Sequence, residues 1–276
     1  MDTNGIMESL KAFVPNVHFE LIPINNLVSN QNYQRKLSQR HIDRTVANFD
    51  LRQINPVKVS RRVGSNYVIN GQHTVEIIAA ASGSRDTPVW CMVYDDMEYL
   101  EEADVFAQQQ KYTKLLSAYE IFMANVEADS DSHIVIKSIV EQCGLRLSTS
   151  KSSGGICAVS ALREIFERDG YEGLDRTIKL IVKTWEGEAN SLTANMLRGV
   201  SLIVATFGDS LRDDLFAERI GSISAREITR TAKERHAGSL GFAETMLLLY
   251  NKKTQSTLSM TRLHRPENKN AASYSQ

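Results

Sequence analysis

The sequence contains few of the residues that mark secreted, redox or membrane-spanning proteins. Its 276 residues include only three cysteines and five prolines, and 7% are aromatic. Cys91, Cys143 and Cys157 stand in apolar surroundings without metal-ligand or redox spacing, so we expect them to be buried, reduced thiols. No apolar run approaches the ~20 residues that cross a bilayer, and the first residues lack a basic, apolar leader. These absences predict a cytoplasmic protein without membrane contacts.

The chain also lacks an excess of charge of either sign. Its formal net charge is -1, so any phosphate-binding surface must come from a local cluster rather than from the whole protein. Hydrophobic residues at 42% and charged residues at 24% are typical of a globular protein. The length favours two domains of modest size.

The first half of the chain alternates between strand and helix patterns. Pro23 predicts an edge strand over 18–24, because proline donates no hydrogen bond to a sheet. Ser38 resembles the N-cap of a helix that presents Ile42, Val46 and Phe49 on one face. Four further elements follow in order: a hairpin of strands 57–60 and 67–69 with a loop at 63–66, a helix over 75–81, a strand over 88–94 and a helix over 103–110.

The segment Asn70-Gly71-Gln72-His73-Thr74 lies between the second hairpin strand and the following helix. A helix start exposes unpaired backbone N–H groups and the positive end of the helix dipole, and glycine lets backbone approach a ligand closely. This order therefore predicts an anion-binding turn. The alternative is an ordinary connection from strand to helix.

A run of six acidic residues without a basic one occupies 95–104. It predicts a solvated loop leading into the next helix, and a divalent-cation site is the alternative. No metal ligand is assigned from the sequence.

The second half of the chain has the pattern of an all-helical domain. A linker-like, mobile segment is expected at 146–155 and a disordered tail at 266–276. The predicted fold class is α+β, with a mixed α/β N-terminal domain followed by an all-α C-terminal domain. Its parts are an extension at 1–17, the α/β domain at 18–115, the helical domain at 116–262 and a tail at 263–276. The predicted helices are 117–128, 131–143, 156–168, 174–185, 193–207, 211–220, 224–236 and 241–252.

Four segments of the first half, taken in order, resemble the ParB/sulfiredoxin superfamily, in the ParB-like form found in phage and mobile-element proteins. They span about residues 20 to 125. The segments are Asn32–Arg35, Asn48–Val57, Tyr67–Thr74 and Gln109–Glu120.

The resemblance implies binding of nucleotide or nucleic-acid phosphates, with CTP or ATP and Mg²⁺ as the expected ligands in the first case. Gln72 stands where sulfiredoxins carry cysteine, which excludes their reductase chemistry. Thr74 and Thr113 replace arginines of the family, so two bidentate phosphate donors are missing. The residues implied around the phosphate are Arg35, Gly71, Gln72, His73, Thr74, Gln110, Lys111 and Lys114.

Some relatives are described as nucleases, and this remains an alternative. His73 is suited to acid–base work or to donating to a phosphate oxygen, and Glu76, three residues later on one helix face, could orient it. A metal-dependent nuclease would use these two residues as its catalytic pair. The competing interpretations are a local helix cap for His73 and a solvated helix residue for Glu76.

The helical half is expected to contact DNA or to form a homodimer. Residues 134–144 and 156–167 lie where ParB proteins carry a helix-turn-helix, although the loop between them is long for that motif. Basic residues near the C-terminus are better candidates for phosphate contacts, and ordinary surface charge is the alternative. They are Arg226, Arg230, Lys233, Arg235, Lys252, Lys253, Arg262 and Arg265. A third possible function is a non-catalytic interaction protein with a degenerate ParB-like site.

Overall fold

The computed structural model describes residues 15–30, 33–95, 97–112, 114–252 and 257–264. The chain divides into two compact units, Met1–Lys114 and Leu115–Gln276. The first contains a mixed sheet with helices and the second is helical, so the fold class is α+β, as predicted.

The first unit is built on a five-stranded mixed sheet in the order β1-β5-β3-β4-β2. The edge strand β1 runs antiparallel to β5, with Pro23 opposite Pro88 at the end of the ladder. β3 pairs parallel with β5 and antiparallel with β4, and β2 pairs parallel with β4. The strands are β1 His18–Pro23, β2 Leu27–Ser29, β3 Val57–Arg62, β4 Ser65–Asn70 and β5 Pro88–Tyr94.

The hairpin of β3 and β4 is tighter than the sequence predicts. Its loop contains two residues, Val63 and Gly64, with φ of 50° and 74°. Positive φ at both central positions is the geometry of the two-residue turn that matches strand twist. The strands therefore extend to Arg62 and begin again at Ser65.

Three α-helices complete the described part of the first unit. Ser38 caps α1 and its side chain accepts a hydrogen bond from the backbone N of His41. Because α1 ends at Val46, Phe49 lies outside the helix to which its spacing assigned it. Helix α2 is bounded by Gly71 and Gly83, both in left-handed conformation. The helices are α1 Gln39–Val46, α2 Gln72–Ser82 and α3 Tyr99–Tyr112.

The acidic run is not wholly a solvated loop, because α3 starts four residues before the predicted helix. Glu102 is 0% exposed, and its carboxylate accepts from Arg62 Nε at 2.7 Å and from the Tyr33 hydroxyl at 3.3 Å. Burial, and then the Glu102 charge, raise the pKa of Tyr33 to about 12. The Arg62 guanidinium also lies 4.0 Å from the centre of the Tyr67 ring. This cluster attaches α3 to the hairpin, and the described residues contain no group of three metal-ligating side chains.

The second unit consists of seven α-helices within its described residues. The two helices predicted at 156–168 and 174–185 are one kinked helix, in which Gly170 adopts φ 69° and ψ −167°. The helices are α4 Ala118–Glu127, α5 Asp131–Gln142, α6 Val159–Trp185, α7 Ala194–Phe207, α8 Asp213–Gly221, α9 Ala225–Arg235 and α10 Ser239–Asn251.

The segment expected to be a linker is folded. Its ends form two short parallel strands, β6 Arg146–Leu147 and β7 Gly155–Ile156, and Ile156 is fully buried. The thiols also differ from expectation: Cys91 is buried, Cys143 is half-buried and Cys157 is exposed, and all three are free. Burial raises the pKa of the Cys91 thiol to about 11.

Separate apolar cores stabilise the two units. In the first, Val57, Val59, Val68 and Val93 pack beneath α2. In the second, α6 contributes the fully buried Leu174, Ile178 and Ile181. Among the described helices, none is long and apolar enough to span a membrane.

Candidate functional site

A cavity of about 400 Å³ opens beside the turn at Gly71. Its walls come from the chain that leads into α1, the end of β4 and the first turn of α2, with Phe106 contributed by α3. All of these elements belong to the first unit. The cavity is thus formed where two helix starts and a strand end meet.

Gly71 determines the backbone geometry where β4 leads into α2 along the cavity. Its φ is 105° and ψ 15°, a conformation that residues with a side chain rarely adopt. A Cβ atom here would lie 3.4 Å from three atoms of Val57 on the neighbouring strand. The carbonyl of Gly71 accepts from Val75 N at 2.9 Å and so starts the helix. The backbone N–H groups of the first turn that follows have no intrahelical acceptors and lie at the positive end of the helix dipole.

The cavity carries positive charge. Arg35 and Lys36 both line it, and among the described lining residues there is no aspartate or glutamate. No described carboxylate lies within ion-pair distance of either cation. The two side chains are therefore available to an anion.

His73 is held as a neutral imidazole. Its Nε2 accepts a hydrogen bond from the backbone N–H of Ser38 at 3.1 Å, which requires that nitrogen to be unprotonated. Its ring meets that of His41 edge-on at 5.4 Å between centroids. Burial, then the charges of Arg35 and His41, lower the pKa of His73 below its ordinary value. His73 thus connects the starts of α1 and α2, and its Nδ1–H is the proton it carries.

Two glutamines join the chain before α1 to the sheet and to α2. Gln34 Nε2 donates to the carbonyl of Val68, and Gln72 Nε2 donates to the carbonyl of Arg35 at 2.5 Å. The side chains are buried, with 8% of Gln34 and 6% of Gln72 exposed. Within the described part of the chain, neither Oε1 atom has a hydrogen-bond partner.

Comparison with known proteins identifies the family. The model of a family described as being of unknown function, DUF6551, matches residues 28–260. The chain belongs to the DUF6551 family. No curated protein matches the sequence. Among solved structures, it is similar to the C-terminally truncated chromosome-partitioning protein ParB from Caulobacter crescentus complexed with CTP-gamma-S. The identity is 15%, the TM-score is 0.40, and the match covers 58% of this chain and 98% of that one.

The DUF6551 chain brings together part of the predicted phosphate site. Arg35, Gly71, Gln72, His73 and Thr74 all line the cavity. The side chain of Gln110 lies outside the described residues. In the structure as described, Lys111 and Lys114 do not line the cavity and are exposed.

Glu76 is not placed to orient His73, which corrects the prediction. Its carboxylate accepts two hydrogen bonds from Arg85, at 2.9 and 3.1 Å. Arg85 lies just beyond the C-terminal end of α2. The imidazole of His73 is positioned instead by Ser38.

Sequence reasoning missed several residues that line the cavity in this DUF6551 protein: Gln34, Lys36, His41 and Phe106. Lys36 could have been found, because it stands next to Arg35 in the sequence and adds a second positive charge there. The other three reach the cavity only through the pairing of distant elements. Asn70, at the end of β4, donates to the side chain of Gln109 on α3 at 3.0 Å and thereby fixes the rim.

The predicted DNA-contacting residues lie in the second unit. Arg226, Arg230, Lys233 and Arg235 belong to α9, where Arg230 donates to Glu227 at 2.5 Å and to Glu234 at 3.5 Å. Lys252 follows α10, and Lys253 and Arg265 lie outside the described residues.

Arg262 has a structural contact within the same unit. Its guanidinium donates to the carbonyl of Thr206 at 2.6 Å and lies 5.2 Å from the centre of the Phe207 ring. These contacts attach the last described turn of the chain to α7.

Proposed function

We propose that the cavity at Gly71 binds the phosphate groups of a nucleotide. The observation that carries the proposal is the start of α2, where free backbone N–H groups meet two unpaired cations in a cavity whose described lining has no acid. Helix starts of this kind bind phosphate because the N–H groups and the dipole both favour negative charge. A volume of about 400 Å³ is within the usual range for a small-molecule site.

The two cations have different roles in this proposal. Arg35 offers a planar fork that fits two phosphate oxygens, whereas Lys36 supplies a compact charge. The ParB/sulfiredoxin superfamily carries arginine at the positions of Thr74 and Thr113. Arg35 and Lys36 together supply the positive charge that these two threonines lack. His73 contributes an Nδ1–H donor while its Nε2 remains on Ser38. CTP and ATP with Mg²⁺ are the first ligands to test.

The alternative of a metal-dependent nuclease gains no support from the site. It relied on Glu76 as the partner of His73, and that carboxylate is paired with Arg85. Ligands for a catalytic divalent metal are usually carboxylates or imidazoles close to the scissile phosphate. The described lining supplies imidazoles from His41 and His73 but no carboxylate.

DNA association stays a prediction for the second unit. Arg226 and Lys233 on α9 offer phosphate contacts in that role, whereas Arg230 would have to exchange its intrahelical carboxylate partners for phosphate. The phage or mobile-element type, the homodimer and the cytoplasmic location also remain predictions from the sequence.

Isothermal titration calorimetry of the full chain tests the nucleotide proposal. CTP, ATP and GTP are titrated with and without Mg²⁺ into the wild type, Arg35→Ala and the control Arg40→Ala. Arg40 is an exposed arginine of α1 that does not line the cavity. Loss of Arg35 should weaken binding by about tenfold or more, the value of a charge-assisted hydrogen bond. Equal affinities for the two variants, or no binding by the wild type, would contradict the proposal.

A further inference from the structure

The two buried glutamines leave an unusual feature in the wall of the cavity. Gln34 and Gln72 both line it, and each has a side-chain oxygen that is shielded from solvent and lacks a donor among the described residues. Buried polar atoms in folded proteins nearly always have a hydrogen-bond partner. Two orphaned acceptors in one cavity therefore need an explanation.

The hydrogen bonds of the two Nε2 groups fix the orientation of both side-chain amides. The Nε2 groups donate to the carbonyls of Val68 and Arg35, and a carbonyl can only accept. Exchanging the oxygen and nitrogen of either amide would place two acceptors together. The orphaned atoms are therefore oxygens, and they can only accept hydrogen bonds.

This property limits what the side-chain oxygens can bind. The Oε1 of Gln72 cannot bind the anion, because an acceptor oxygen repels phosphate oxygens; the second hydrogen of its Nε2 and its backbone N–H in the first turn of α2 remain donors. The Oε1 of Gln34 is excluded for the same reason. A ligand that brings N–H or O–H donors to these oxygens, next to the anionic group that the turn binds, satisfies both acceptors.

We infer that Gln34 and Gln72 select a ligand that carries hydroxyl donors close to its phosphate, a ribonucleoside polyphosphate rather than a DNA backbone. This inference rests on the proposed function. Internal phosphodiesters of DNA carry no O–H group and their sugar lacks the 2′-hydroxyl. Gln72 directly follows Gly71, so its oxygen is within one side-chain length of the anion site. Ribose hydroxyls lie nearer to the phosphates than the amino groups of a base do.

Binding requires a small adjustment of the cavity. Both oxygens are closed to solvent, so neighbouring side chains must shift slightly before a donor reaches them. The new hydrogen bond compensates for this shift, because a buried acceptor without a partner is costly. A ligand without donors gains no hydrogen bond from the same movement. The cavity should therefore bind a ribonucleoside polyphosphate more tightly than a DNA backbone.

The test compares three ligands on the full chain by calorimetry: a ribonucleoside triphosphate, its 2′,3′-dideoxy analogue and inorganic tripolyphosphate. CTP and ATP serve as the ribonucleotides. The wild type should bind the ribonucleotide at least about fivefold more tightly than the dideoxy analogue, which is the low end for satisfying one buried acceptor. Equal affinity for the two would overturn the inference.

Variants assign the preference to the glutamines. Gln34→Met and Gln72→Met remove the oxygens, Gln72→Lys keeps a donor for the Arg35 carbonyl, and Gln39→Met is the control on the exposed face of α1. The preference for ribose should fall towards onefold in the first three and persist in the control. A ribose preference that survives in Gln34→Met and Gln72→Met would refute the assignment. Since the wild-type comparison needs no variant, a variant that fails to fold does not remove the test.

The outcomes also separate this inference from the proposed function. Tripolyphosphate binding without any ribose preference sinks the inference and leaves the phosphate site standing. Absence of binding by all three ligands sinks both. The titrations are repeated in EDTA and in Mg²⁺, because water ligands of the cation are also donors. A preference for triphosphate that needs Mg²⁺ and ignores the ribose hydroxyls would contradict the inference.

Discussion

Replacing Gly71 by alanine tests whether the turn conformation creates the phosphate site. Gly71 has φ of 105°, beyond the small left-handed region open to residues with a side chain. Gly83 ends the same helix with φ of 71°, within reach of that region, and a Cβ atom there meets nothing within 4 Å. Gly71→Ala and Gly83→Ala therefore form a matched pair at the two ends of α2.

The expected costs follow from these angles. A left-handed conformation costs a residue with a Cβ atom about 1–2 kcal/mol, so Gly83→Ala should destabilise the first unit by about 1 kcal/mol. Gly71→Ala should cost about 2 kcal/mol or more, because φ must also move away from 105°. That movement rotates the first-turn N–H groups, and we expect the affinity for tripolyphosphate to fall about tenfold, the value of one charge-assisted hydrogen bond.

Hydrogen exchange and calorimetry measure the two effects in the full chain. The slowest-exchanging amides of β3 and β4 report the free energy of unfolding of the first unit, independently of the second. Calorimetry with tripolyphosphate reports the affinity. If Gly71→Ala bound tripolyphosphate as tightly as Gly83→Ala, the turn conformation would not be what makes the site.

Three further predictions concern charged groups of the first unit. Glu102→Gln should cost about 2 kcal/mol in urea unfolding, since Arg62 loses a buried charged acceptor, and a wild-type midpoint would contradict this. Glu76→Gln should cost about 0.5 kcal/mol, because its pair with Arg85 is partly exposed to solvent, and calorimetry should show unchanged nucleotide affinity. The lowered pKa of His73 means that the folded state binds this proton less readily than the unfolded chain, so stability falls as pH drops below about 6.5 towards the folded-state pKa. His73→Gln should reduce the change of the urea midpoint with pH between about pH 7.5 and about pH 5.5. The same pH dependence in the variant as in the wild type would disprove this prediction.

Much of the fold could be predicted because its signals are local. The strand over Pro88–Tyr94 has the predicted bounds, since an apolar run there is bordered by proline and polar residues. Gly71 and Gly83 mark both ends of α2. Two separate helices were predicted at 156–168 and 174–185, but the helix continues between them through a kink at Gly170.

The residues that line the cavity could be predicted only in part. The strand, glycine turn and helix start are contiguous in sequence, so the turn at Gly71, which lines the cavity, could be found from a local pattern. Gln34 reaches it through a bond to Val68, thirty-four residues away, which no local pattern indicates.

Charged residues were misjudged for a related reason. Glu102 was interpreted as solvated because it stands among other acids, yet its partner is Arg62, forty residues earlier. Glu76 was paired with the helix residue three positions before it, whereas its partner Arg85 lies across the end of the helix. In both cases tertiary structure, and not helical spacing, determines the ion pair.

Amide chemical shifts test the central claim most directly. Tripolyphosphate titrated into ¹⁵N-labelled full-length protein should shift the backbone N–H resonances of Gln72, His73 and Thr74 together and saturably, with those of Gln39 and Arg40 much less affected. Phosphate accepts hydrogen bonds from the first-turn N–H groups, so these resonances should move downfield. Unchanged resonances at 72–74, with saturable shifts elsewhere in the chain, would show that the phosphate site is not at this turn.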